Sequence, residues 1–442
     1  MRPRLVVASR VAVALVSVFV TALGGAATAR ADVELRGFGA LRALAHDAEP
    51  AFRDADGGFG RLDVGDGEES VDAVGELQLA IDWRPSGSFG AFVHALARAE
   101  PGDLEGDAVG VVEAYVEGTW SLPRGLVRLQ LGHFLLPTSR ENIEVAWSSP
   151  YSLTSSALNT WIGEEVRLTG ASARGVWDLA LDDTIGRVDQ LELLGAAFGG
   201  NDTAGALLAW RGWSLGSRLV VFDEVVPLPP LSTLEPGAGF GEQRDDGTKP
   251  FGADIDDQVG WAASAAWRRV DRAEFRVTRY DNRGDLDLHG GLDSSEYAWG
   301  TDFWLVGAEA HHGRWDLVAE WMDGETAMGV LPDAKVRAGF RALYGLVSWR
   351  GDGWRLTLRR DEFETVERDR SLRGERNDED GHAWTIAGFW EPLTRPLRLG
   401  VEWLRVESTR PGLVDERGPG ASLVPEASVD EEILSLELRW YF

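Results

Sequence analysis

The sequence predicts an all-β chain that folds as a transmembrane antiparallel up-and-down β-barrel of about 18 strands, with 16 as the alternative. Three observations support this fold class. Many segments alternate apolar and polar side chains, as in "ILSLELRWYF" at 433–442, and a period of two is typical of strands. Short turns alternate along the chain with long polar connections, which is the layout of an outer-membrane barrel with short periplasmic turns and long extracellular loops. Tryptophans cluster beside the short turns.

Residues 1–31 have the features of a signal peptide. Arginines at positions 2, 4 and 10 precede an apolar run that ends in small residues and in Ala29-Arg30-Ala31. We expect cleavage before Asp32, which leaves residues 32–442 as a single barrel domain; the alternative is an uncleaved N-terminal anchor. After residue 31 no apolar run approaches the roughly 20 residues that a membrane helix needs.

The composition narrows the function classes. The chain has 44 Lys and Arg against 72 Asp and Glu, a net charge of −28, and this acidity argues against a nucleic-acid partner. The chain has no cysteine, although an exported protein could form disulfides. It has 19 tryptophans, and their positions carry information about the fold.

The alternating segments assign one face to lipid and one to the interior. In "ELQLAIDW", Leu77, Leu79 and Trp83 share one face, and Glu76 and Asp82 share the other. Because backbone groups in a bilayer must be paired, the sheet has to close on itself, and the C-terminal strand should pair with the segment 33–45.

The stretch 162–225 decides the strand count. Strands at 204–211 and 215–223 give 18, whereas one long excursion through "ALLAWRGWSLGSRLVVF" gives 16. Either count leaves an aqueous lumen.

The tryptophans near the short turns predict an aromatic girdle at one membrane interface, because an amphipathic ring is most stable at the headgroup level. These residues are Trp83, Trp120, Trp267, Trp315, Trp349, Trp354, Trp390 and Trp440. The alternative is a soluble β-sandwich with these tryptophans in its core.

Two stretches resemble a known family. "ELRGFGALRAL" at 34–44 is similar to the opening strand of many porins, and 132–170 is similar to the region where the third loop of Gram-negative porins folds into the pore. The resemblance extends loosely to the phosphate-selective porins O and P. It implies a homotrimer of barrels in which the loop 137–161 narrows each pore. The chain departs from the lysine cluster of the phosphate porins, since its only lysines are Lys249 and Lys335.

The candidate site residues follow from this interpretation. The resemblance makes loop residues with charged or aromatic side chains the candidates for the pore constriction: Arg140, Glu141, Glu144, Trp147 and Tyr151. Alternation makes charged residues on the face opposite lipid the candidates for the lumen lining: Arg36, Glu76, Asp82, Arg98, Glu113, Glu117, Arg128, Glu320, Arg355, Arg359, Glu437 and Arg439. The structural alternative is that these charges only pair across strands. The terminal Phe442 resembles the aromatic signal by which outer-membrane barrels are recognised for insertion.

The sequence contains no pattern typical of an enzyme, and we expect neither a cofactor nor a metal. The acidic stretches "DADGG" at 54–58 and "DIDD" at 254–257 are interpreted as solvated loops, since neither has EF-hand spacing. The predicted function is an outer-membrane porin for small hydrophilic solutes or ions. Its expected partners are outer-membrane lipids, the barrel-assembly machinery and two further copies of the chain. The alternatives are a non-conducting surface barrel, such as an adhesin, and a secreted soluble all-β protein.

Overall fold

A computed structural model describes residues 32–51, 53, 59–65, 69–100, 106–182, 187–229, 231, 234, 240, 247–252, 254–291, 294–329, 335–369, 378–392, 396–410, 414–415, 422–423 and 427–442. The predicted signal peptide lies outside these residues. Within them, 16 strands form one closed antiparallel barrel in chain order. The strands are β1 Asp32–Asp47, β2 Glu69–Ser86, β3 Phe89–Ala99, β4 Val109–Leu122, β5 Gly125–Phe134, β6 Leu168–Asp182, β7 Arg187–Gly199, β8 Gly260–Arg269, β9 Ala273–Asp281, β10 Gly300–His312, β11 Trp315–Met328, β12 Val336–Arg350, β13 Trp354–Glu367, β14 Glu379–Trp390, β15 Leu397–Arg410 and β16 Ala427–Tyr441.

The barrel closes between its first and last strands, as the C-terminal pattern predicts. Strands β1 and β16 pair from Phe38 opposite Tyr441 to Asp47 opposite Glu432. The terminal residue extends the ladder, because Gly37 and Phe442 exchange two backbone hydrogen bonds of 3.1 Å. Short turns such as 87–88 and 313–314 alternate with long loops. The predicted fold class is confirmed.

The expectation of 18 strands is wrong, and the alternative of 16 is confirmed within the described part of the chain. The segment 204–211 contains the helix Ala206–Trp210, and 215–223 forms no barrel strand. The apolar residues of this excursion pack on all sides inside the barrel: Leu207, Trp210 and Val220 are at most 2% exposed. In a barrel strand, by contrast, every second side chain lies on the outer surface. Over a few residues a buried loop and a barrel strand can show the same alternation, so the sequence did not distinguish them.

The outer face carries an apolar band. Leu434, Leu436 and Leu438 of β16 point outward and are 45–55% exposed. Trp120, Trp315, Trp354 and Trp440 of the predicted girdle are also about half exposed at the short-turn end. Towards the long loops the outer face becomes charged, as with the ion pair of 2.8 Å between Arg405 and Asp430. A closed barrel with such a band is an outer-membrane protein.

The described residues of three long loops lie inside the barrel wall. They are loop A (48–68), loop B (135–167) and loop C (200–259), named after their order in the chain. Loop B contains the 3-10 turn Val145–Trp147 and helix α1, Ala157–Glu165; loop C contains helix α2, Ala206–Trp210. Two small sheets pair Leu288–Gly291 with Ser294–Tyr297, and Val414–Asp415 with Ser422–Leu423. No helix in the described residues is long and apolar enough to span a membrane.

An apolar cluster fills much of the interior beside loops B and C. Trp161 of α1 lies 5.2 Å from Phe340, 5.5 Å from Phe303 and 6.1 Å from Trp213, measured between ring centroids. Phe303 and Phe340 are inward residues of β10 and β12, and Trp213 belongs to loop C. This side of the lumen is therefore a packed core rather than a water-filled passage.

Candidate channel site

Loop B crosses the lumen and is fixed to the inner wall at several strands. Arg140 forms an ion pair of 2.6 Å with Glu274 of β9. On the opposite wall, the backbone N–H groups of Leu153 and Thr154 donate to Glu402 of β15, at 2.6 and 3.0 Å. Loop B therefore lies across the barrel as a partition.

Arg359 of β13 is the centre of the attachment of loop B. Its guanidinium donates to Glu141 (2.5 Å), Ser152 Oγ (3.0 Å) and the carbonyl oxygens of Thr154 (2.6 Å) and Ser155 (3.1 Å). Its Nε donates to Asp361 at 2.8 Å. The side chain is fully buried, so these partners replace the water that a buried charge needs.

Loop C packs directly on helix α1 of loop B. Arg211 donates two hydrogen bonds to Glu164, of 2.9 and 2.8 Å. The neighbouring Glu165 accepts from the indole N–H of Trp161 at 2.6 Å and from the backbone N–H groups of Gly205 and Leu207, both at 3.1 Å. Burial is the largest influence on Glu165 and raises the pKa of its carboxyl from 4.5 to about 7.

Arg61 joins loop A to the barrel wall and to loop C. Its Nε lies 2.8 Å from Glu379 of β14, and its backbone N–H donates to Glu431 of β16 at 2.8 Å. Its guanidinium also donates to the carbonyl oxygens of Arg211 and Trp213, both at 3.0 Å. Loops A, B and C therefore form one interlocked layer at the long-loop end of the barrel.

Two of the cavities that the described residues form lie beside this layer. The larger, which we call the vestibule, has a volume of about 1020 Å³ and lies below the 3-10 turn of loop B. Residues of the short turns, such as Gly351 and Pro392, line it, so it belongs to the periplasmic end. The smaller, which we call the gap, has about 70 Å³ and lies between the wall of β1–β3 and loops A and C.

The structure divides the five candidates for the pore constriction into two groups. Arg140, Glu144 and Trp147 line the vestibule. Glu141 is fully buried under Arg359, and Tyr151 is buried with the guanidinium of Arg355 4.9 Å from its ring centroid. Glu141 and Tyr151 therefore hold loop B in place, and neither lines the vestibule or the gap.

The lumen-lining candidates lie on the inner face, in three environments. Arg36, Glu113 and Arg355 line the vestibule, and Glu76 and Arg98 line the gap. The remaining candidates form ion pairs with neighbouring strands or with one another, or hydrogen bonds to loop B: Asp82, Glu117, Arg128, Glu320, Arg359, Glu437 and Arg439.

Several residues that build the site were not candidates from the sequence. Arg61, Arg211 and Glu165 join the three loops, as described above. The pair Glu164–Glu165 was a visible signal, but adjacent acids are common in so acidic a chain. A second signal was "WRGW" at 210–213, which places an arginine between tryptophans in what would otherwise be a membrane strand.

One acidic cluster brings together oxygen ligands of the kind that hard cations prefer. Carboxylate oxygens of Asp202, Asp254 and Asp256 lie within 4.8 Å of one another. Asp202 and Asp256 already accept backbone N–H groups, for example from Ile255 at 2.5 Å and Gln258 at 2.8 Å. Burial raises the pKa of Asp202 to about 7. The other acidic stretch, 54–58, lies outside the described residues.

Comparisons with known proteins bear on the fold. No protein-family model matches the chain, and no curated protein matches it in sequence. The chain resembles the outer-membrane channel DcaP of Acinetobacter baumannii, at 14% identity and a TM-score of 0.50, over 93% of this chain and 97% of that one. It also resembles the trimer form of OmpT from Vibrio cholerae (9% identity, TM-score 0.46, 93% and 99% covered). A third match is an anion-selective porin from Comamonas acidovorans (11% identity, TM-score 0.45, 93% and 100% covered). The match to DcaP shows that this chain has the barrel fold of an outer-membrane channel, and at this identity it shows the fold alone.

Proposed function

We propose that the protein is a non-enzymatic outer-membrane channel for small hydrophilic solutes or ions. The observation that carries this proposal is the vestibule, a cavity of about 1020 Å³ with charged residues in its lining that reaches the periplasmic end of the barrel. Charges of both signs line it, among them Arg36, Arg355, Glu113 and Glu144. A charged wall of this kind is stable only in contact with water, so the cavity suits hydrated solutes.

We propose that the channel selects solutes first by their size and only then by their charge. The described residues of loops A, B and C occupy much of the lumen, and a gap of about 70 Å³ lies between them and the wall of β1–β3. The distant likeness to phosphate-selective porins rests on the inward loop and on wall arginines. Arg42, Arg398 and Arg439 surround Glu437 at 3.0–3.3 Å, and this carboxylate neutralises part of their charge. Phosphate selectivity is therefore not part of this proposal.

Assembly follows the same proposal. We propose a homotrimer in the outer membrane, in contact with its lipids, because the porin resemblance implies one and OmpT of Vibrio cholerae was solved in a trimer form. We also propose that Phe442 is read by the barrel-assembly machinery. Phe442 is half exposed on the outer face, where another protein could reach it.

Liposome swelling tests the channel proposal. The refolded chain 32–442 is inserted into liposomes, which are then diluted into isotonic solutions of glycerol, a monosaccharide and a trisaccharide. We expect swelling that falls steeply with solute size. A folded barrel, verified by its heat-modifiable mobility on a gel, that gives no swelling and no ion flux would contradict the proposal.

The second candidate function is a non-conducting surface barrel. One observation favours it: the aromatic cluster of Trp161, Trp213, Phe303 and Phe340 makes much of the lumen a packed core. An inserted barrel that conducts neither ions nor solutes would support this function.

A further inference from the structure

We propose that the outer wall of the barrel binds one phosphate-bearing lipid at a specific site. An acyl chain lies in a groove across β10–β14, and the lipid phosphate contacts Arg360 near one end of this groove. The groove has a volume of about 410 Å³ and lies on the lipid-facing side of the wall. The inference goes beyond the channel function and does not depend on it, because it needs only the outer-membrane location.

Small outward residues at one register position of three neighbouring strands form the floor of the groove. Ala308 of β10 lies opposite Ala319 of β11, which in turn lies opposite Gly345 of β12. All three are exposed, and a Cβ added at Gly345 would meet no atom within 4 Å. Leu317 and Leu358, which are 53% and 42% exposed, form the wall of the groove on the short-turn side. The groove is therefore open and apolar.

Arg360 of β13 supplies a positive charge at one end of this floor. It continues the same row, with Gly345 opposite it on β12 and Trp384 opposite it on β14. Its guanidinium lies 4.8 Å from the ring centroid of Trp384, and this cation–π contact holds it beside the groove. Its Nε is 3.7 Å from Glu362, too far for a hydrogen bond, and within the described part of the chain the guanidinium donates no hydrogen bond. Its N–H groups can therefore donate to phosphate oxygens.

The neighbouring arginine of the row is already neutralised. Arg405 of β15 lies opposite Trp384, on the side away from Arg360. Its guanidinium donates to both carboxylate oxygens of Asp430, at 3.0 and 2.8 Å. The row therefore contains one arginine that can receive an anion and one that is fully paired.

The groove descends from the polar boundary of the outer face into the apolar band. Arg360 is the first charged outward residue of β13 above the short turn. On β12 the first such charge is Arg341, four residues beyond Gly345 on the long-loop side, and on β10 it is Asp302, six residues beyond Ala308. The Ala308 end therefore lies deeper in the membrane than the Arg360 end.

This direction and length fit a lipid of the outer leaflet. The Arg360 end faces the long loops, which are extracellular in such a barrel. From Ala308 to Arg360 the groove crosses three strand spacings, about 14 Å. An acyl chain reaches through about half of the roughly 30 Å hydrocarbon core, so one chain can lie along the floor. Trp384 then lies at the headgroup level, where an amphipathic ring is most stable.

Native mass spectrometry tests the site by counting the lipids that stay bound to the barrel. The refolded chain 32–442 in detergent is titrated with phosphatidylglycerol, which is anionic, or with phosphatidylcholine, which is zwitterionic. We expect the wild type to bind the first phosphatidylglycerol about fivefold more tightly, the effect of one arginine near a membrane surface. Arg360→Ala should remove this preference, and the matched control Arg405→Ala should keep it.

A second pair of variants tests the groove itself. Gly345→Leu places a side chain in the open space and should weaken the binding of both lipids severalfold. Its matched control is Gly195→Leu on β7, another exposed glycine at which an added Cβ would meet no atom within 4 Å. That variant should bind both lipids as the wild type does. Because both positions are open, both variants should form barrels with heat-modifiable mobility.

Three results would overturn the inference. The first is equal affinity of the wild type for the two lipids, or the same preference in Arg360→Ala and Arg405→Ala. The second is a change in the number of chains per particle in Gly345→Leu, which would mean that a second copy covers the groove. The third is displacement of phosphatidylglycerol by an equal concentration of inorganic phosphate, which would mean that only the phosphate is recognised. None of these results depends on conduction, so the channel function is tested separately.

Discussion

Replacing Arg359 by leucine should detach loop B from the wall while leaving the barrel closed. The change removes all five hydrogen bonds of the guanidinium to loop B and Asp361. It also leaves the carboxylates of Glu141 and Asp361 buried without their cation. Removing one partner of a buried ion pair costs about 3–5 kcal/mol. This energy acts on the attachment of loop B, because the backbone ladders of β13 to β12 and β14 do not involve the side chain.

The assay is native-state proteolysis of the folded barrel, with cleavage sites mapped by mass spectrometry. When opening is fast relative to cleavage, a loss of about 3–5 kcal/mol raises the cleavage rate within 135–167 by roughly two to four orders of magnitude. The control is Arg360→Leu at the next position, which points outward and lies 3.7 Å from the exposed Glu362. A surface pair contributes about 0–1 kcal/mol, so its cleavage rate should stay near the wild-type rate. Equal rates for the two variants would refute the assignment of Arg359 as the anchor of loop B.

Three further predictions follow from the same geometry. Burial raises the pKa of Glu165 from 4.5 to about 7, so the α1–α2 contact should be most stable below pH 4.5 and weaken as the pH rises through about 7. Hydrogen-exchange protection of 157–165 and 205–210, corrected for the intrinsic pH dependence of exchange, should show this, and Glu165→Gln should remove the part of the pH dependence that Glu165 contributes. Leu436→Arg places a charge on the lipid face and should cost about 2–4 kcal/mol in refolding titrations, whereas Ser428→Arg, outside the apolar band on the same face of β16, should cost about 0–1 kcal/mol. Deleting Phe442 removes two backbone hydrogen bonds to Gly37 and should lower the yield of assembled barrel in outer-membrane fractions; an unchanged yield would contradict its role in insertion.

The sequence was informative wherever a strand has one face in lipid. The period of two, the outward tryptophans and the C-terminal stripe all reflect that asymmetry, and each corresponds to a wall strand in the structure. The excursion through 204–223 was misjudged because its residues are buried on every side, so its local apolar pattern carried no information about lipid. Loop residues that line the vestibule, such as Glu144, could be named from the sequence only through the family resemblance.

The partners of the loops could not be predicted, because they depend on long-range packing. Arg359 meets Glu141, 218 residues away, and Arg61 meets Glu379. No short sequence motif marks either ion pair, because both contacts depend on how the three loops pack inside the barrel. An acidic chain also offers many carboxylates for each arginine, so composition alone does not identify the pairs.

Single-channel conductance of the refolded chain 32–442 in a planar bilayer tests the central claim most directly. We predict stepwise openings of low conductance, because the inward loops and their aromatic cluster occupy much of the lumen. Steps grouped in threes would also support the trimer. A folded and inserted barrel that gives no steps, in salt gradients of either direction, would contradict the channel account and favour a non-conducting surface barrel.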